Sequence, residues 1–312
     1  MSAPGSHSLV VVTWNSRPDL ARLLDSMLAQ LEPVHELVVV DNASEDDPER
    51  ELDRWPGPSR FQRLERNRGF GAACNAGVAL SSGEAIVLLN PDVELLDGGI
   101  LRLAGMALEA GALVGPRLLD PDDGIQPSAS GPVVGAWPWV GAVLPGALQP
   151  PAMRARTEPW RLRHSAEVAW LTGACLAAPR AVLARLGPFD PAIELMSEDL
   201  DLCLRAEAAG VPILFAPGVC RIVHRGGTAL TRRFEDAGLA LAARNRRAVV
   251  ARAYGAARER RGWRAQLLRL RLRSAAKRAL GQDRGRELAE LAAAHQAADY
   301  PTLASSAPGL TD

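Results

Sequence analysis

Three apolar runs rich in β-branched residues set the first limit on what this chain can become: "SLVVVTWN" (8–15), "HELVVVDNAS" (35–44) and "AIVLL" (85–89). In none of them do polar and apolar residues alternate, so each has the form of a strand covered on both faces. Between the first two lies "RPDLARLLDSMLAQL" (17–31), apolar at Leu20, Leu23, Leu24, Met27, Leu28 and Leu31. That is helical spacing, and Pro18 suits a first turn. A short polar helix is expected at 46–55, an edge-like strand at 60–67, a glycine-opened helix at 69–83, a helix at 96–111 and a strand at 112–121. Strand and helix in alternation predict a parallel sheet with right-handed crossovers.

In open sheets of this kind ligands sit at the C-terminal strand ends. Three such ends carry polar groups: Thr13-Trp14-Asn15, Asp41-Asn42 and Asn90-Pro91-Asp92. Asn and Asp are also ordinary turn and cap residues. Three together on one edge point to a site.

The second half is less regular. Residues 121–165 hold eight prolines with Trp137, Trp139 and Trp160, and read as a long irregular excursion. "EVAWLTGACLAAP" (167–179) has strand character, and a short helix follows to Leu186. "SEDLDLCLRAEAAG" (197–210) is an amphipathic helix with Ser197 expected as N-cap and Gly210 as C-cap. "VPILFAPG" (211–218) reads as the last strand, and from about Arg232 the chain is helical. The expected division is a catalytic domain at 1–230, a basic helical extension at 231–298 and a flexible tail at 299–312.

With 312 residues, 47% of them hydrophobic, the chain can bury a substantial core. Its formal net charge of zero gives no bulk argument for nucleic acid, yet the charge is unevenly placed. From Arg221 to Arg286, eighteen arginines and Lys277 face only Glu235, Asp236, Glu259 and Asp283. Such a segment is either a surface for an anionic partner or a solvated helical face. Cys74, Cys175, Cys203 and Cys220 have no C-x-x-C spacing and read as small buried hydrophobes of a reducing compartment. Neither a signal peptide nor an apolar run of about 18 residues is present, so a cytoplasmic or peripheral protein is expected.

Asp92 is a hard oxygen ligand suited to Mg2+ or Mn2+, ions that leave much of their shell to phosphate and water. Glu198 and Asp199 open a helix, where carboxylates are favoured in any case; they could equally supply a general base. His224 lies beside Arg225 and a glycine pair, and imidazole is a common metal ligand. Gly69-x-Gly71-x-x-Cys74 approximates a dinucleotide fingerprint but lacks the third glycine and stands in the wrong place.

In their order, "VVVTWN", "VVVDNAS", "NRGFGAACNAG", "LLNPDVEL", "LTGACLAAPRAVLARLGPFDP", "SEDLDLCLRAEAAG" and "HRGG" resemble the family 2 glycosyltransferases, over roughly residues 8–230. The likeness is greatest to their rhamnosyltransferase branch. It implies an α/β GT-A fold with a mostly parallel sheet flanked by helices and an Arg-rich helical extension. It also implies nucleotide contacts from Thr13, Asn15, Asp41, Asn67, Arg68 and Asn75, with Asn90 and Arg225 in the same nucleotide-sugar site. Asn90-Pro91-Asp92 stands where the family has its D-x-D motif, so Asp92 and His224 would hold the divalent cation. Asp199 would be the catalytic base with Glu198 beside it, and Thr172-Gly173 would line the sugar or acceptor cavity.

The implied reaction is inverting transfer of L-rhamnose from dTDP-rhamnose to a hydroxyl of a cell-wall or surface-polysaccharide acceptor, lipid-diphosphate-linked in some members. Galactofuranose, glucose and mannose donors use closely similar motifs, and a non-catalytic nucleotide-sugar-binding or scaffold member is the rival. Residues 258–286 could lie on an anionic membrane; packing on the catalytic domain or on a second copy in a homo-oligomer is the competing expectation.

Overall fold

The structure, a computed structural model, describes residues 7–32, 35–187, 189–193, 196–226 and 228–279, the stretch 228–240 as backbone alone. Strands β1 (His7–Thr13) and β2 (Glu36–Asp41) run parallel, with Val10 opposite Val38 and Thr13 opposite Asp41. Between them α1 (Arg17–Gln30) carries Pro18 in its first turn and buries Leu20, Leu23, Leu24 and Met27. A single turn, α2 (Glu49–Leu52), leads to β3 (Ser59–Arg63) at the sheet edge. Helix α3 (Phe70–Leu80) then returns the chain to β4 (Ala85–Leu89) on the far side of β1.

Beyond β4 come β5 (Val93–Leu95), α4 (Gly99–Ala110) and β6 (Leu113–Pro116). The expected strand at 112–121 is broken at Arg117, and its second part, β7 (Leu118–Leu119), joins a different sheet. The expected irregular excursion is partly ordered, holding β8 (Ala129–Ser130), α5 (Trp137–Val143), α6 (Pro151–Thr157) and a tight turn at Gly146–Leu148. Prolines at the first turns of α5 and α6 start helices there rather than break them. After β9 (Ala166–Glu167), the expected strand 167–179 divides into β10 (Trp170–Leu171) and β11 (Cys175–Pro179).

Helices α7 (Arg180–Leu186) and α8 (Glu198–Ala208), then strands β12 (Ile213–Ala216) and β13 (Ile222–His224), complete the α/β part. The main sheet has the order β3-β2-β1-β4-β11-β6-β12-β9. It is parallel except where β11 runs against β4 and β6, and where β9 runs against β12. The strand expected to be last is followed by β13, which sits between β5 and β7 in a small sheet of its own.

The continuous apolar runs are explained by burial on both faces. Leu9, Val11, Leu37, Val39, Val87 and Leu89 pack against α1 and α4, while Val10, Val12, Val38, Val40, Ile86 and Leu88 pack against α3, α7 and α8. Gly77 of α3 is set so close to the sheet that a Cβ there would run into Val10 Cγ1 and lie 3.3 Å from Val40 Cγ2. Of the fingerprint glycines, Gly69 takes a positive φ of +85° just before α3 and Gly71 leaves room for Phe189, whose Cβ would stand 2.9 Å from a Cβ there, so each has a packing or backbone role without a dinucleotide. All four cysteines are buried and unpaired.

Helices α9 (Thr228–Tyr254) and α10 (Ala256–Ala279) form the basic C-terminal segment. From Leu241 onward their side chains pack back onto the α/β part. Val249 and Val250 share a cluster with Leu200 and Leu204 of α8, and Arg252 bridges Asp190 (2.6 Å) and Asp201 (2.5 Å). The remainder of the expected extension, 280–298, and the tail at 299–312 lie outside the described residues.

Candidate active site

Of the polar strand ends, Asn90-Pro91-Asp92 meets the short segment Thr172-Gly173-Ala174 that precedes β11. The N–H of Asn90, just past β4, donates to the Ala174 carbonyl at 2.9 Å. The N–H of Gly173 donates to Asp199 Oδ2 at 2.9 Å. Adjacent residues of one turn therefore hold Asn90-Pro91-Asp92 on one side and Asp199 on the other. A third bond, from Thr172 N–H to the Ser128 carbonyl (3.1 Å), fixes the turn itself.

On the first side, β13 pairs with β5 so that His224 lies opposite Val93, one residue beyond Asp92. The N–H of Arg225 donates to the Asp92 carbonyl (3.0 Å). His224 Nε2 is 3.4 Å from Asp92 Oδ1 and 3.4 Å from Asn90 Nδ2. Asp92 is buried, and its Oδ1 accepts no hydrogen bond. Gln126 decides the imidazole tautomer. Its Nε2 donates to Asp120 Oδ1 (2.7 Å) and to the His224 carbonyl (2.6 Å), so its carboxamide oxygen must be the atom facing His224 Nδ1 at 2.9 Å. Nδ1 therefore carries a proton, and in the neutral imidazole Nε2 turns its lone pair toward Asp92. Two lone-pair donors with an orphaned carboxylate oxygen fit a divalent cation. Among the described residues no group of three His, Cys, Asp or Glu side chains could hold one, so phosphate and water would complete its shell.

On the second side, Ser197 does not cap α8. Its side chain makes no cap bond and its backbone is left-handed at φ +79°, following Met196 at φ +62°. Two consecutive left-handed residues without glycine are strained, at about 1 kcal/mol each or more. They turn Glu198 inward and Asp199 toward Gly173. Asp199 accepts from Gly173 N–H and from Leu200 N–H (2.7 Å), whereas Glu198 Oε2 is buried with no partner.

Burial pushes the Glu198 carboxyl up to about 8, and the charge of Asp199 adds to the push. Asp199 is raised by burial too, but the N–H groups of Gly173 and Leu200 and the Trp170 side chain pull it back. With donors on one carboxylate and none on the other, Glu198 keeps the proton of the pair and Asp199 carries the charge. Arg246 of α9 reinforces this. Its guanidinium lies 5.6 Å over the Trp170 ring, and burial, which lowers its proton affinity, is opposed by the charge of Asp199.

The profile described as "Glycosyl transferase family 2" matches residues 8–135. The N-acetylglucosaminyl-diphospho-decaprenol L-rhamnosyltransferase of Mycobacterium tuberculosis is 29% identical over 246 residues, covering 70% of this chain and 75% of that protein. Residues 8–135 are thereby assigned to glycosyl transferase family 2. The O-antigen biosynthesis protein RfbC of Myxococcus xanthus is 33% identical over 229 residues, which is 69% of this chain but 17% of that larger protein. Among solved structures, the mannosyltransferase PcManGT of Pyrobaculum calidifontis in complex with GDP-Man and Mn2+ superposes with a TM-score of 0.60 at 18% identity, over 95% of this chain and 86% of that one. The expected GT-A fold is the fold observed.

Other residues singled out in the sequence are placed less simply. Thr13 and Asp41 have no exposed surface: Asp41 is held by Ser44 and by Arg63 (3.3 Å), with Thr13 Oγ1 at 3.5 Å. They are the last residues of β1 and β2, buried at the strand ends. Asn15, left-handed at φ +49°, accepts from the Glu45 N–H at 2.7 Å. Asn42 ties Asn67 (3.0 Å) to the Arg68 N–H (2.9 Å), leaving the Arg68 side chain exposed. Asn75 is engaged by the backbone of Phe189, donating at 2.9 Å and accepting at 2.7 Å, so it clamps a loop. Arg225 pairs with Glu94 at 2.9 Å. Gln126, Trp170 and Arg246 were not anticipated as site residues. No motif marks them, because each acts through a contact that only the tertiary fold creates.

Proposed function

We propose that the chain moves a sugar, L-rhamnose from dTDP-rhamnose, to a hydroxyl of a cell-wall or surface-polysaccharide acceptor, with inversion at the anomeric carbon. The observation that carries the reading is the Gly173-Ala174 turn, which is bonded to the base candidate Asp199 and to the Asn90 end of the cation-type pair. The names of the mycobacterial and myxobacterial relatives support rhamnose, a lipid-linked diphosphate acceptor and surface polysaccharide.

In this reading the acceptor hydroxyl lies against Asp199, which takes its proton as the oxygen attacks the anomeric carbon. The bond from that carbon to the diphosphate oxygen breaks, and the electron pair leaves with the nucleoside diphosphate. Asp92 Oδ1, His224 Nε2 and the Asn90 carboxamide are the donors that would hold Mg2+ or Mn2+, and such a cation offsets charge on the departing diphosphate. Asn15, Asn67 and Arg68 border the nucleotide, with Thr13, Asp41 and Asn75 shaping the pocket from beneath. Arg225 and Thr172 flank the sugar diphosphate and the acceptor.

Asp199→Asn keeps the size of the side chain and removes the base. Transfer should fall by a factor of about 10² to 10⁴, while dTDP-rhamnose, followed by thermal shift, binds within about threefold of wild type. Transfer near the wild-type rate with donor still bound would remove Asp199 from the mechanism.

A further inference from the structure

The outer face built from α5, the Gly146–Leu148 turn and α10 combines two compositions that seldom coincide. From Gly124 to Thr157 the chain contains no Asp or Glu, and its charged residues are Arg154 and Arg156. From Ala256 to Ala279 there are nine cations and one acid, Glu259, which is buried and paired to Arg247 at 2.8 Å. The two stretches meet around Glu158, itself buried. Arg269 lies 3.9 Å from Glu158, its guanidinium is 3.7 Å from where a Gly141 Cβ would stand, and Gly146 abuts the same carboxylate.

Around this junction large apolar side chains face outward: Trp139 (38% exposed), Val143 (62%), Leu148 (70%) and Leu272 (48%). Those four are a majority of the seven exposed large hydrophobic residues among the described residues. Arg258, Arg260, Arg261, Arg264, Arg271, Arg273 and Arg278 are exposed along α10. The apolar and basic positions of α10 do not separate on a helical wheel, so the helix is not a membrane-surface helix by itself. Packing does the sorting. Leu270 is buried and Arg269 turned inward, whereas Arg271, Leu272 and Arg273 point out.

We propose that this composite face docks on an anionic lipid bilayer. Apolar tips with no exposed carboxylate from α5, the Gly146–Leu148 turn or α10 among the described residues suit the headgroup–acyl boundary, and the guanidiniums of α10 suit lipid phosphates. A polyanion such as nucleic acid would match the arginines but leave Val143, Leu148 and Leu272 without a role. The inference stands on surface composition and does not rest on the transfer reaction.

The test uses the full chain and sucrose-loaded vesicles, sedimented at moderate salt and without any sugar nucleotide. Wild type should bind vesicles of equal parts phosphatidylglycerol and phosphatidylcholine, and bind pure phosphatidylcholine at least about tenfold more weakly. Two variant sets change exposed positions only: Val143→Asp with Leu148→Asp and Leu272→Asp, and Arg261→Glu with Arg273→Glu. Each should lose about tenfold or more in partitioning with its thermal melt retained, the first set keeping a salt-sensitive remnant. Absence of wild-type binding to anionic vesicles overturns the proposal. So does equal binding by wild type and both variant sets, or loss of heparin retention by the arginine variant with vesicle binding intact, which would assign the face to a soluble polyanion.

Discussion

His224 Nε2 and Asp92 Oδ1 face each other across 3.4 Å, and Gln126 holds a proton on the opposite nitrogen of the imidazole. In the neutral imidazole that leaves a lone pair on each atom, an arrangement that becomes favourable when a cation lies between them. The same contact can therefore be tested through a residue that touches neither the donor nor the acceptor.

Gln126→Leu frees the imidazole to change tautomer. Mn2+ affinity in the presence of dTDP, titrated through the resonance signal of the free ion, should weaken by about 10- to 100-fold. Affinity for dTDP in the absence of the ion should be unchanged. Equal Mn2+ affinity for variant and wild type would dissociate Gln126 from the cation pair.

Glu198→Gln should alter how stability depends on pH. The folded-state carboxyl titrates near 8, above its ordinary value of 4.5, so the folded chain retains a proton that the unfolded chain has released. Stability from this group is complete below about pH 4.5 and is lost as the pH rises to about 8, at no more than about 1.4 kcal/mol per pH unit. The variant, neutral at every pH, should show a flatter urea-unfolding profile in that window and exceed wild type at its alkaline end. Parallel profiles would mean that Glu198 ionises normally in the folded protein.

Arg246→Ala removes the cation beside Asp199 while leaving the carboxylate in place. The acid limb of the kcat/KM profile should move to higher pH, since the base loses a charge that favours its ionised form. The rate at neutral pH should fall by about tenfold and recover in part as the pH is raised. A uniform loss at all pH values would reduce Arg246 to a packing role.

Two alanine substitutions separate close approach from helix propensity. Gly77→Ala drives a methyl group into Val10 and should cost about 1–3 kcal/mol in urea unfolding. Gly105→Ala, in mid-α4 with nothing within 4 Å of its would-be Cβ, should gain about 0.5–1 kcal/mol. A similar response at both positions would contradict the tight seat of α3 on the sheet.

The parallel part of the sheet could be read from the chain because a strand covered on both faces leaves an unbroken apolar run, as 85–89 does. The polar residues at its tips were legible for the same reason: a run that stops at Asn90-Pro91-Asp92 shows where it stops. The antiparallel insertion of β11 was not, since nothing in "CLAAP" distinguishes a strand running with β4 from one running against it. Ser197 misled because serine favours an N-cap on average, whereas here the fold demands a left-handed turn to aim two neighbouring carboxylates apart. Gln126 lies 98 positions from His224, and neither its type nor its neighbours announce the contact.

Arg252 grips Asp190 and Asp201 from α9, and Val249 with Val250 supplies apolar cover for α8. A protein cut anywhere between the end of α8 and Arg252 would leave Asp201 without that cation, on the helix that also bears Asp199. What resembles a detachable appendage is the buttress of the helix that carries Asp199, and expression work aimed at a shorter protein would have to keep it.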